Sequence, residues 1–191
     1  SKDAEIAFSK EFSAIYNHLL QFKDKLSRRN KAETGIAYEW YALQRCANTY
    51  SNEFEKEIIC WKAVGRNLAF CLWGGGKYLT APASFLSTES RTLNLFLLAI
   101  FQSKYALYFI LGNADTTGAG DVMLNIQSME KLVIPSVKYE TQEVFANYVE
   151  QILEKKKKHQ STENLELEID KLIYKCFNLT EEEIAIIEKR K

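Results

Sequence analysis

The stretch LNLFLLAIF, residues 93–101, carries a single polar side chain, Asn94, and leaves almost no face that tolerates water. A helix that is apolar on all sides belongs in an interior. It stops well short of the ~20 residues a membrane-crossing helix needs, and QSKY follows at once, so the segment predicts a buried helix. The 191 residues are enough for one well-packed domain, or for a compact domain with a helical appendage. Hydrophobic residues at 47% and aromatics at 13% exclude a disordered chain. No segment has the basic, apolar and small-residue order of a signal peptide, so a cytoplasmic location without a membrane partner is expected. Ser1 in place of Met suggests an expressed fragment or the scar of a tag.

Around this helix the sequence alternates periods. Over residues 4–29, Phe8, Phe12, Ile15, Tyr16, Leu19, Leu20 and Leu26 recur at three- and four-residue steps and predict one long amphipathic helix. Its end, KDKLSRRNK, is basic, which complements the helix dipole or contacts phosphate. EIICWKAV, 57–64, and NLAFCLW, 67–73, are rich in β-branched and aromatic residues and predict strands. GGGK leads into YLTA, so 67–81 is expected to form a β-hairpin. The glycines do not have the spacing of a phosphate-binding loop. Helical character returns over 92–111, a polar loop over 112–121, and extended structure over 122–135, ending at Pro135. Two further stripes follow, Val144, Phe145, Tyr148, Val149, Ile152 and Leu153, then Leu165, Ile169, Leu172, Ile173, Cys176 and Phe177. With KKKKHQST between them they predict an antiparallel helical hairpin, and TEEE is a capping box for a last helix bearing Ile184, Ile186 and Ile187. The expected class is α+β: a mixed α/β domain over 1–139 that includes the long N-terminal helix, then the helical hairpin over 140–191.

The net charge of zero hides a gradient. Residues 1–34 carry 7 basic and 5 acidic side chains, residues 35–139 carry 9 and 8, and residues 140–191 carry 9 and 12. A surface for nucleic acid is therefore expected in the first two blocks, and Lys155 to Lys158 read as a solvated helix end. Cys46, Cys60, Cys71 and Cys176 form no C-x-x-C pair and read as small buried hydrophobes in a reducing cytoplasm. His18 and His159 lie in or beside amphipathic helices, without the companions of a hydrolase triad. The chain has no N-P-P-Y or D-P-P-Y motif for amino methylation, no G-x-G-x-x-G loop after a strand, and no nuclease-type set of acids with a lysine. It reads as non-enzymatic by itself, with no metal and no cofactor of its own.

The order of segments resembles the TaqI-like C-terminal specificity domain of type IIG restriction-modification enzymes and related adenine-N6 DNA methyltransferases. YNHLLQFKDKLSRR followed by YEWYALQR is similar to the family's opening segment through His18, Leu19, Leu20, Leu26, Arg29, Trp40, Tyr41, Leu43 and Arg45. KEIICW resembles its first recognition strand, although Glu57 intervenes and the usual proline is missing. LNLFLLAIFQSKYALYFI resembles its central helix, with Phe101 and Gln102 where Leu and Asn are common. EKLVIP resembles the strand that closes recognition, and LELEIDKLIYKCFNLTEEEIAIIE resembles the family's ending. The resemblance implies a target recognition domain that reads double-stranded DNA beside a catalytic methyltransferase domain of the same parent chain. It also implies that S-adenosylmethionine and Mg are bound by the parent, and that residues 140–191 form a spacer or docking element.

Reading duplex DNA needs cations against phosphate and forked or amide side chains against base edges. Residues of those types near predicted strand ends and loops are Arg28, Arg29, Lys31, Arg45, Lys62, Arg66, Asn67, Lys77 and Tyr78. Trp40 and Tyr41 are expected to pack in the core, with stacking on DNA as the other reading. The alternative function is a protein-protein docking module within a restriction-modification complex, which the neutral net charge favours.

Overall fold

The structure is a computed structural model and describes residues 2–29, 38–43 and 49–189. The fold is α+β, and the chain divides into two compact units, residues 1–51 and 52–191.

In the first unit the expected single helix is broken into α1 (Lys2–Glu11), α2 (Ser13–Leu20) and α3 (Lys23–Ser27). Phe12, at φ −122° and ψ 50°, and Phe22, at φ −113° and ψ 9°, leave the helical region. The cause is visible at Glu5. Its carboxylate accepts hydrogen bonds from the Tyr16 hydroxyl and the Trp40 indole N–H, both at 3.0 Å. A straight helix would hold residues 5 and 16 about 16 Å apart, so the contact requires the chain to turn back. Phe8 then stacks on Tyr41 at 5.3 Å and meets Tyr16 edge-on at 5.8 Å. Trp40 and Tyr41 thus pack in this aromatic cluster, while Phe12, Ile15, Leu20 and Phe22 remain exposed.

The second unit is built on β1 (Ile58–Lys62), which pairs antiparallel with β3 (Phe70–Trp73) on one side and β4 (Ala83–Ser87) on the other. The expected hairpin over 67–81 does not form. NLAFCLW contributes β3, but YLTA is loop, and β3 and β4 are separated by the central strand. Gly75 lets this loop press on the 3-10 turn Ser51–Glu55, because a Cβ there would lie 2.0 Å from the Glu55 carbonyl oxygen. A two-stranded ladder, β2 (Val64–Gly65) with β5 (Val122–Met123), extends from the C-terminal end of β1.

Both faces of β1 are buried, so its apolar residues run consecutively rather than alternate. Ile59 and Trp61 join the main core, and Ile58 and Cys60 join a smaller cluster with Phe54, Trp73, Leu79 and Phe85. The 93–101 stretch lies in α4 (Arg91–Phe101), buried on most of its surface as expected. Helical structure resumes after a 65° bend in α5 (Lys104–Asn113), whose N-cap Ser103 accepts a hydrogen bond from the Ala106 amide. Among the described residues no single helix is long and apolar enough to cross a membrane. Residues 122–135 are not continuously extended. After β5 the Asn125 side chain caps α6 (Ile126–Met129) by accepting from the Ser128 amide at 2.9 Å.

The C-terminal stripes form α7 (Tyr139–Lys157) and α8 (Glu163–Cys176), joined by a short link with His159 at φ +54°. Phe145, Val149, Ile169 and Ile173 enter the same main core as Ile59, Leu95 and Ile100. The capping box is present: the Thr180 hydroxyl accepts from the Glu183 amide and Glu183 accepts from the Thr180 amide, opening α9 (Glu181–Lys189).

Candidate nucleic-acid interface

The strand register decides which candidate side chains meet. Trp61 pairs with Phe70, so Lys62 leaves β1 at the end where the chain approaches β3 through Arg66 and Asn67. All three side chains are exposed there. The β2 and β5 ladder brings the loop 114–121 to the same region, where Arg66 lies 3.5 Å from Asp121. With the Arg66 side chain 76% exposed this ion pair holds it only weakly. The loop is ordered by its own turn, in which Thr117 donates to Asp121 at 2.8 Å and Gly120 takes φ +81°.

Lys77 and Tyr78 belong to the other end of β3, about 10 Å away along the strand. The Lys77 ammonium sits 5.1 Å from the Trp73 ring centre, and Tyr78, 68% exposed, leans on Phe54 at 5.2 Å. Arg66 and Asn67 thus precede β3 and Lys77 follows it, toward opposite ends of the β1 and β3 pair.

The first unit separates two neighbouring arginines. Arg28 is exposed, whereas Arg29 turns inward and donates to the carbonyls of Leu26, Trp40 and Ala42 at 3.1, 2.8 and 2.8 Å. Its guanidinium also covers the Tyr38 ring at 4.9 Å. Arg29 thus ties the 38–43 segment to α3 through its Nε and Nη2 donors. Lys31 and Arg45 lie outside the described residues, as does Cys46.

Sequence reasoning missed two polar devices whose partners are far apart along the chain. Asn94, buried in α4, donates to the Glu57 carbonyl at 3.1 Å and accepts from the Thr88 hydroxyl at 2.8 Å. Arg91 beside it pairs with Glu57 and with Glu150 of α7. On the other flank, the Ser87 hydroxyl and then Lys56 hold the Glu53 carboxyl below the usual carboxylate range. The second device is Asp170, in the EID segment. It accepts from the Lys104 amide at 3.0 Å, satisfying an open N–H at the start of α5. No local pattern announces it, because 66 residues separate the partners.

Burial pushes the Asp170 carboxyl up, and the Lys104 amide and ammonium only partly offset that. The native carboxyl holds its proton more tightly than it does in the unfolded chain. Its contribution to stability is therefore fully present below about pH 4 and is lost as pH rises through the native value. The stability of the wild type relative to Asp170→Asn should fall as pH increases over that range. Urea titrations of both proteins at several pH values check this, and a wild type that gains stability relative to the variant as pH rises would contradict it.

Cys60 is buried but Cys71 is exposed, against the expectation that the cysteines are buried, and Cys176 is half-buried. The Lys155 to Lys158 run closes α7, with Lys156 paired to Glu166 at 3.3 Å and Lys157 to Glu154 at 2.8 Å. Among the described residues no group of three or more His, Cys, Asp or Glu side chains is arranged to hold a metal ion.

No family model matches the chain. It is similar to the type II methyltransferase M.MjaIV of Methanocaldococcus jannaschii, with 28% identity over 181 residues. The aligned part is 93% of this chain and 59% of that protein, so the chain spans well under two thirds of its relative. By similarity over nearly its whole length, this is a protein related to a type II methyltransferase.

Proposed function

We propose that the chain is the sequence-specific double-stranded DNA recognition module of a restriction-modification methyltransferase, of the TaqI-like specificity-domain kind, and is non-catalytic in isolation. The observation that carries this reading is the group of Lys62, Arg66 and Asn67 at one end of the sheet, in a chain alignable over 93% of its length to a methyltransferase. The segment between β1 and β3 that carries these residues is narrow enough to enter a major groove ~12 Å wide, where base edges are read. An arginine there reads guanine and an asparagine reads adenine. S-adenosylmethionine and Mg belong to the catalytic domain of the parent, and the exposed Phe12, Ile15 and Phe22 offer that domain an apolar face.

Arg66→Ala or Asn67→Ala should weaken binding to the cognate duplex by roughly 1–3 kcal/mol and relax preference at one base pair. Replacing Lys155 to Lys158 with Gln should change binding little, because Lys156 and Lys157 pair with Glu166 and Glu154 and the run lies in a block with 9 basic and 12 acidic residues. Selection from a random duplex pool, followed by gel shifts on cognate and scrambled sites, checks both statements. Equal loss on every sequence would restrict Arg66 and Asn67 to phosphate contact. The absence of any selected sequence from the wild type would reject the reading. Calorimetry of the isolated chain with S-adenosylmethionine should show no binding, and micromolar affinity would place cofactor chemistry in this chain.

A further inference from the structure

Cys60 on β1 and Cys71 on β3 are direct cross-strand partners, and their sulfurs lie 3.2 Å apart. Opposed residues of an antiparallel pair hold their Cβ atoms ~4.5–5.5 Å apart, close to the ~3.5–4.5 Å a disulfide requires, so only a small closure separates contact from bond. The two thiols also differ in access. Cys60 is 5% exposed, Cys71 is open to solvent, and both line a surface depression of about 350 Å³ shared with Lys62, Thr80 and Pro82. A peroxide molecule has a route to the pair.

The geometry points to a reversible disulfide site in which peroxide oxidises Cys71 and Cys60 resolves the product into a β1 to β3 cross-link. In the first step the Cys71 sulfur takes one oxygen from hydrogen peroxide, becoming a sulfenic acid and releasing water. In the second the Cys60 sulfur attacks the Cys71 sulfur, the S–O bond breaks, and hydroxide leaves with the Cys60 proton as water. Two thiols and one peroxide thus give one disulfide and two waters, and a small-molecule thiol reverses the reaction by exchange. The order of the roles follows from access, and the chemistry of Cys60 agrees with it. Burial, with the Cys71 contact adding, pushes the Cys60 thiol up to about 12, which makes it a poor first target; the Cys71 part of that rise ends once Cys71 is a sulfenic acid, and Cys60 attacks as its proton passes to the leaving hydroxide. The ring so closed contains Lys62, Arg66 and Asn67.

The test treats the full chain with hydrogen peroxide, alkylates the remaining thiols in denaturant, and maps the peptides by mass spectrometry. A linked pair of peptides carrying Cys60 and Cys71, lost on treatment with dithiothreitol, is expected. In Cys60→Ser the sulfenic acid at Cys71 should persist and be trapped by dimedone. Cys60→Ala gives the same readout if the serine hydroxyl disturbs the strand. Cys71 oxidised to sulfinic acid while Cys60 is fully alkylated would overturn the proposal. So would a disulfide joining Cys71 to another chain.

Discussion

Ile169→Asp should lower the free energy of unfolding of the second unit by about 3–5 kcal/mol, the cost of an unpaired charge in a dry interior. Ile169 is 5% exposed and shares the main core with Ile59, Trp61 and Leu95. The new carboxylate would stand beside Asp170, which already resists ionisation in this place. Because helices and sheet share that core, the damage should not stay in the helical pair. Trp61, whose indole N–H donates to the Leu124 carbonyl at 2.8 Å, reports on the sheet side. In a background with Trp40→Phe and Trp73→Phe, its fluorescence and the far-ultraviolet helix signal should shift to lower urea together. Helices that melt while Trp61 keeps its native emission would show that the sheet stands without them.

Gly75→Ala is the second large effect, at about 1–3 kcal/mol of destabilisation. The added Cβ would lie 2.0 Å from the oxygen and 2.5 Å from the carbon of the Glu55 carbonyl, so one of two backbone segments must move. The adjoining Gly76 takes φ +79° and its amide donates to the Phe54 carbonyl at 2.9 Å, which leaves the loop little freedom to yield. Gly74 is the internal control. A Cβ there meets nothing within 4 Å, and Gly74→Ala should stay within about 0.5 kcal/mol of wild type. Equal Tm losses in the two variants would show that close approach to Glu55 does not determine the outcome.

The features read correctly from sequence are those written in a local period or a local cap. Phe145 and Val149, Ile169 and Ile173, and the Thr180 capping box each need only a few neighbouring residues to declare themselves. Strand order is not local. YLTA follows the glycines as a hairpin partner would, but ASFLS, farther along, takes the place beside β1. The N-terminal stripe runs unbroken in sequence through Phe12, and only the demand of Glu5 for both Tyr16 and Trp40 reveals why the helix breaks. Asn125 is legible in the sequence, since asparagine is among the preferred N-cap residues and here it opens α6. The same division applies to the site. Arg66 and Asn67 could be placed on a loop from composition, whereas the commitment of Arg29 to carbonyls 11 and 13 residues away could not.

The burial of β1 on both faces, with only Lys62 exposed at its end, separates two kinds of position in this chain. Residues that build the interior are fixed by packing, and changing one disturbs its neighbours. Residues 66 and 67 project beyond the strand ends, where substitutions are worth about 0.5 kcal/mol or less to folding. Under the proposed function, such a scaffold lets surface loops diversify for a new target while the fold experiences almost no change, so specificity and foldability vary independently. On the proposed reading, libraries randomised at 66 and 67 can be screened for altered target choice without first restoring stability.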